Sequence, residues 1–115
     1  MANTFKVITK AGVTSADVIY TVAGSTTAIV LGCAIGNTTG SAITTTVTLT
    51  SDTGSRSGAN NEANQTVEIL TATAIPANDT LAVLSGSKLV MEATDSLTVT
   101  GTGAVDITIS VMEIT

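Results

Sequence analysis

The stretch ITTTVTLT, residues 43–50, alternates between two kinds of side chain. Its even positions are all threonine, while Ile43, Val47 and Leu49 make its odd positions mostly aliphatic. Because successive side chains of a strand point to opposite faces, this period of two predicts a strand with one buried row and one outward row of hydroxyls. A slip of one residue would exchange the two rows, so the register of this strand is well specified.

The same period recurs along the chain, and turn-forming clusters of Gly, Pro, Asn and Asp separate its repeats. No segment shows the three-to-four-residue period of an amphipathic helix, so we predict an all-β domain. Eight or nine short strands favour two packed sheets, and we expect a single β-sandwich over residues 1–115, of jelly-roll or immunoglobulin-like kind. The predicted strands are Thr4–Lys10, Asp17–Ala23, Thr27–Gly36, Ala42–Thr50, Thr66–Ala74, Thr80–Ser85, Lys88–Glu92, Ser96–Thr100 and Val105–Ile114.

Two segments depart from the alternation. Near the C-terminus the aliphatic row of the last strand stops at Met112-Glu113-Ile114, which predicts a bulge or an end packed against another element. The segment SDTGSRSGANNEANQ, residues 51–65, has no apolar residue larger than alanine, so we predict an exposed polar loop. A loop of this length on a compact sandwich is usually either a contact element or disordered, and for the first case we select four candidate contact residues from it. These are Asp52, Arg56, Asn60 and Asn61.

Residues that usually act in catalysis or in metal binding are scarce. The chain has no histidine, and no spacing brings together the carboxylates of Asp79 with Asp95 or of Glu68 with Glu92. The polar loop lacks the repeated acidic spacing of a calcium site, and no glycine-rich turn cradles a phosphate. We therefore expect no catalytic residue, no metal and no cofactor.

Charge and cysteine content restrict the classes of partner that we expect for this chain. The net charge is −5 and the four basic residues form no cluster, which argues against nucleic acid and anionic membranes as partners. No apolar run reaches the length of about 20 residues needed to span a membrane, and the N-terminus lacks the apolar core of a signal peptide, so we expect a soluble chain made in the cytoplasm. The lone Cys33 lies in the apolar stretch AIVLGCAIG and is expected to be a buried hydrophobe.

Aromatic residues make up only 2% of the chain. Carbohydrate sites usually lay aromatic faces against sugar rings, so this scarcity weakens a carbohydrate-binding role. Tyr20 is expected in the core or at a sheet edge. Phe5 is either the first core residue or the anchor of an N-terminal arm docked on a neighbour. For the second possibility we select Thr4, Phe5 and Lys6 as candidate interaction residues.

Four ordered blocks resemble small virion structural proteins of tailed bacteriophages, particularly of cyanophages. They are MANTFK, VIYTVAGSTTAIVLGCAIGNTTGSAITTTVTL, IPANDTLAVLSGSKLVMEATDSLTV and VDITISVMEI, and together they cover nearly the whole chain except residues 51–65. Where relatives often have Gly-Asp before the SLTV strand, this chain has Thr94-Asp95, which leaves Asp95 as the turn residue.

The resemblance implies a β-sandwich particle component without catalytic residues. It favours capsid decoration, in which a small domain on the outer capsid surface of the virion reinforces the shell formed by the major capsid protein. A dimer or trimer of the chain is expected. The alternatives are a neck, tail or fibre-associated virion protein, and then a surface or carbohydrate-binding module.

Overall fold

The computed structural model describes residues 2–51, 65–84 and 86–115, and these residues form nine strands and no helix. The all-β prediction is confirmed, and the predicted strand ends lie within three residues of the observed ones. The strands are β1 (Asn3–Val13), β2 (Asp17–Thr21), β3 (Thr27–Asn37), β4 (Ile43–Thr50), β5 (Thr66–Ile75), β6 (Thr80–Val83), β7 (Leu89–Met91), β8 (Ser96–Gly101) and β9 (Val105–Ile114).

The strands form two antiparallel sheets. One sheet has the order β1-β9-β3-β6 with β7 also paired to β3, and the other has the order β2-β8-β4-β5. The pairs are nested, since β1 pairs β9, β2 pairs β8, β3 pairs β6 and β7, and β4 pairs β5. A long antiparallel hairpin rolled over on itself gives this order, which is that of a jelly roll. The predicted β-sandwich is confirmed, and its topology is that of the jelly-roll alternative.

The core lies between the two sheets and is aliphatic. In β4 the predicted inward row is buried apart from its half-buried last member, Leu49, and Thr45 within that row donates its hydroxyl to the carbonyl of Thr100 at 2.9 Å. This hydrogen bond compensates the buried hydroxyl. The inward row of β9 is fully buried and comprises Val105, Ile107, Ile109 and Val111.

The bulge predicted at Met112-Glu113-Ile114 is not there. Over residues 111–114, β9 pairs without a register shift with both β1 and β3. The irregularities of these two ladders lie elsewhere, between Lys10 and Val13 of β1 and between Val30 and Gly32 of β3. Glu113 keeps its place in the inward row, where it is buried. The alternation therefore continues structurally, and a charged side chain occupies one core-facing position.

Two buried polar side chains hold the connections. Asn37 donates its amide nitrogen to the carbonyls of Ser41, Ile75 and Pro76 at 2.8 to 3.1 Å, and its oxygen accepts the backbone N–H of Thr39. It thereby ties the β3–β4 turn to the β5–β6 connection. Because both ends of the amide are satisfied, its burial costs little.

Asp95 closes the turn between β7 and β8, as predicted from the sequence. Its carboxylate accepts the backbone N–H of Glu92 at 3.0 Å, and Thr94 adopts a left-handed φ of 69°. The backbone of Val22 bonds both Thr94 and Asp95 at 2.9 Å, which fixes this turn against the end of β2. The carboxylate thus stabilises a turn that its neighbour's φ would otherwise disfavour.

Most of the predicted polar loop, with Asp52, Arg56, Asn60 and Asn61, lies outside the described residues. Its two ends are described, and there Ser51 donates its backbone N–H to the carbonyl of Gln65 at 2.7 Å. The β4–β5 ladder thus extends to the last residue on either side of this connection.

Candidate interaction surfaces

Side chains that could ligate a metal ion do not cluster in the described residues. Among them no group of three or more His, Cys, Asp or Glu side chains could hold a metal ion, and no helix is long and apolar enough to cross a membrane. The carboxylates of Asp79 and Asp95, considered above as a pair, each accept a backbone N–H of their own turn at 2.8 and 3.0 Å. These two carboxylates therefore stabilise local turns.

A small cavity between the sheets is lined by apolar side chains, among them Val30, Cys33 and Leu97, and has a volume of about 10 Å³. Cavities that bind drug-sized ligands are far larger, at roughly 300–1,000 Å³. Burial raises the pKa of the Cys33 thiol to about 11, and the side chain is only 7% exposed. Cys33 is therefore protonated at neutral pH and buried, as predicted.

The outer face of the five-stranded sheet carries a row of outward-facing apolar side chains, which we call the apolar stripe. Register places Phe5 of β1 beside Met112 of β9, Met112 beside Ile29 of β3, and Ile29 beside Val90 of β7. Phe5 is 71% exposed and Val90 59% exposed, and Val7 lies next to the stripe with 66% exposure. The apolar stripe therefore crosses four strands at right angles to their direction. Contiguous apolar patches of this kind mark interaction sites on soluble proteins.

The other half of the same face is built from small residues. Register places Thr9 of β1 beside Thr108 of β9, Thr108 beside Ala34 of β3, and Ala34 beside Ala82 of β6. Gly32, also in this half, has open space where a Cβ would stand. The side chains of the apolar stripe therefore project further from the sheet than the small residues of this second half. We call the half with the stripe the raised half and the other the shallow half.

The outer face of the four-stranded sheet is rich in threonine, and the exposed Val18 of β2 also lies on it. Thr46 of β4 pairs with Thr100 of β8, and Thr48 pairs with Thr98. Some of these hydroxyls bond within the sheet, since Thr46 accepts the backbone N–H of Ala72 at 3.0 Å. The outward row of β4, called the threonine row below, comprises Thr44, Thr46, Thr48 and Thr50.

Three polar side chains join the two sheets at the edge where β1 lies. Tyr20 of β2 donates its hydroxyl to Glu113 of β9 at 2.5 Å, and the ammonium of Lys6 in β1 contacts the other carboxylate oxygen at 2.8 Å. Glu113 is 8% exposed, so its buried charge is compensated by two partners. We call this arrangement the polar clasp, and the ion pair of Lys10 with Asp17 at 3.6 Å lies along the same edge.

The ionisation of the polar clasp is well defined. The hydrogen bond from Lys6, followed by that from Tyr20, lowers the pKa of Glu113 below its usual range, although burial opposes this shift. Burial, followed by the bond to Glu113, raises the pKa of Tyr20 above its usual range. Both shifts move away from neutral pH, whereas a general acid or base works best with a pKa near the operating pH. The polar clasp is therefore suited to holding strands together.

The predicted interaction residues Thr4, Phe5 and Lys6 lie together in β1, which pairs with β9 from Asn3 to Lys10. The expectation that Phe5 belongs to the core is wrong, because its side chain faces outward in the apolar stripe. These residues are part of the five-stranded sheet, and their contact with a neighbouring protein stays a prediction. Sequence reasoning missed the roles of Glu113 and Met112, and the interrupted alternation at residues 112–114 was the signal for the first.

No protein-family model matches the chain, and a search of curated proteins also found no match. Among solved structures, the chain is similar to one from the disulfide-linked pili that form Bacillus endospore appendages. The two chains share 17% sequence identity with a TM-score of 0.49, and the alignment covers 97% of this chain and 84% of that chain.

Proposed function

We propose that this chain is a non-enzymatic structural protein of a tailed-phage virion, and specifically a decoration protein on the outer capsid surface. The observation that carries the proposal is the apolar stripe, in which Phe5 and Val90 are more than half exposed, as is the adjacent Val7. Exposed apolar area of this extent is suited to contact with another protein. A protein that assembles with others buries such a surface, whereas an isolated monomer leaves it exposed to water.

The rest of the molecule supports a mechanical role. The polar clasp joins the sheets at one edge, and Asn37 ties two connections together from a buried position. Rigid placement of the two outer faces allows one module to reinforce contacts between subunits of the major capsid protein. By analogy of fold, jelly rolls occur among viral capsid domains. The sequence resemblance to phage virion proteins supplies the capsid setting.

Copy number in purified virions tests the decoration role. Quantitative mass spectrometry of particles should find many copies, in a fixed ratio to the major capsid protein that matches the capsid lattice. A copy number equal to a single ring would instead favour the neck, tail or fibre alternative. A cryo-electron map of the same particles would place the protein directly.

A carbohydrate-binding role would have to use surface residues other than Tyr20. The ring of Tyr20 is buried and its hydroxyl bonds Glu113, so Phe5 is the exposed aromatic side chain. Specific signal on a glycan array that disappears in Phe5→Ala would favour this alternative over the decoration role.

A further inference from the structure

We infer that the outer face of the five-stranded sheet packs against the same face of a second copy of the chain, forming a two-fold dimer. This inference rests on the proposed structural role and names the surface through which copies assemble. The apolar stripe provides the contact, and Phe5 is its most exposed member at 71%. Aromatic side chains are enriched at the cores of protein interfaces.

The shape of the face suits a second copy. The apolar stripe stands on one half, while Ala34, Ala82 and Gly32 line the shallow half. A two-fold axis that lies between the faces and runs parallel to the stripe places the raised half of each copy over the shallow half of the other. Such an isologous contact is self-complementary and closed, which is the commonest symmetry of soluble oligomers. Two sheets packed in this way would interdigitate their side chains about 10 Å apart.

The area of the face is also sufficient. Strands of 10 to 11 residues lie in β1, β9 and β3, and either β6 or β7 flanks β3. With a rise of about 3.3 Å per residue and a strand spacing of about 4.8 Å, these three strands together with the four residues of β6 and the three of β7 cover on the order of 600 Å². A standard interface buries about 800 Å² on each partner. The face alone therefore provides an area close to what a stable dimer requires.

Charge favours the same face. Two copies with a net charge of −5 each repel one another, and the repulsion is weakest where the facing surfaces carry few charges. Of the strand residues that point outward from this sheet in the described chain, only Asp106 is charged, and it lies at the far end of the shallow half. Its carboxylate already accepts the backbone N–H of Gly12 at 3.0 Å.

Sedimentation equilibrium of the purified full chain tests the dimer. The wild-type chain should be dimeric, and Phe5→Asp should raise its dissociation constant by at least about tenfold. Val90→Asp should also weaken the dimer. Val18→Asp is the matched control, because Val18 is 56% exposed on the outer face of the other sheet, against 59% for Val90, and the same charge is added. A wild-type monomer or trimer, or equal weakening by Val90→Asp and Val18→Asp, would overturn the inference.

A substitution in the shallow half gives an independent test that does not depend on the stripe. Gly32 has a φ outside the left-handed region and nothing within 4 Å of its Cβ position, so the monomer accepts a valine there. Gly32→Val should keep or raise the melting temperature, since valine suits strands better than glycine. It should nevertheless weaken the dimer by at least about tenfold, because the added bulk fills the space needed by the partner's stripe. An unchanged dissociation constant in a folded Gly32→Val variant would contradict the packing.

The dimer and the decoration role fail in distinguishable ways. A chain that dimerises through this face but is absent from the head shell would refute decoration and leave the dimer standing. A chain that is monomeric in solution yet present in many copies on virions would refute the dimer and leave decoration standing.

Discussion

The two outer faces of this jelly roll are built on the same alternation but present different chemistry. On the four-stranded sheet the central strands β4 and β8 present threonines outward, and the hydroxyl of Thr46 accepts a backbone N–H from its own sheet. On the five-stranded sheet the outward side chains of Phe5, Met112, Ile29 and Val90 expose carbon. The first face is hydrated or internally bonded without a partner. The second gains stability only when another surface covers it.

The largest effect on stability is expected at the polar clasp, which fixes the strand that carries Phe5 and Val7. Glu113→Ala removes the acceptor of Tyr20 and the counter-charge of Lys6, and should lower the free energy of unfolding by about 2 kcal/mol. Urea denaturation measures this difference. Lys10→Ala, in the more exposed pair with Asp17, is the control and should cost less than about 0.5 kcal/mol. Equal losses in the two variants would show that the clasp contributes no more than a surface ion pair.

Acid should weaken the same connection. The pKa of Glu113 is lowered in the folded chain, so its ionised form contributes stability above the unfolded pKa of about 4.3 and loses it as the pH falls through the lowered folded value. The unfolding free energy of the wild-type chain should therefore decrease more steeply below about pH 4.3 than that of Glu113→Gln. Parallel pH profiles for the two proteins would argue that the carboxylate is not held in its ionised form.

A smaller effect is expected on the threonine row. Thr46→Val removes the acceptor of the Ala72 N–H, which lies in an irregular part of β5 where Ala72 has a φ of 40°, and should cost about 1 kcal/mol. Thr48→Val changes the neighbouring outward threonine of the same strand and should be nearly neutral. Thermal unfolding of both variants measures these two differences in stability. If neither substitution changes the melting temperature, the hydroxyls of the threonine row interact with water and do not stabilise the sheet.

Shortening the connection between Asp52 and Asn64 should have the smallest effect on stability, because Ser51 and Gln65 already bond each other. If this connection contacts the capsid, the shortened protein should dimerise as before. It should nevertheless fail to bind particles that were assembled without this protein. Undiminished occupancy in a particle-binding assay would assign the capsid contact to another surface. Together with Phe5→Asp, this variant would separate contacts between copies from contacts with the shell.

The strands could be predicted from sequence because alternation is a local property. In β9 the buried row from Val105 to Val111 was evident, and in β4 the threonine row was assigned correctly to the outside. In β1 the same reasoning was less successful. Alternation separates two rows but does not say which row is covered, and the row of Phe5 and Val7 lies on the uncovered side.

The polar clasp and the apolar stripe could not be predicted, because both depend on contacts between distant parts of the chain. Tyr20 and Glu113 are 93 residues apart in sequence, and they meet only once β2 and β9 are placed in opposite sheets. The apolar stripe likewise needs the register of β1, β9, β3 and β7 at once. The glutamate that interrupts the last aliphatic row was a visible signal, but its partners were not.

The nested pairing has a consequence for how such a module diversifies. The connection between β4 and β5 is the tip of the rolled hairpin, and a hydrogen bond between Ser51 and Gln65 at 2.7 Å closes the ladder beneath it. Doubling the length of a flexible loop costs only about 0.6 kcal/mol, so this segment can be exchanged without altering the core. Recombination at the tip would therefore replace an exposed connection and leave the nested ladders in place.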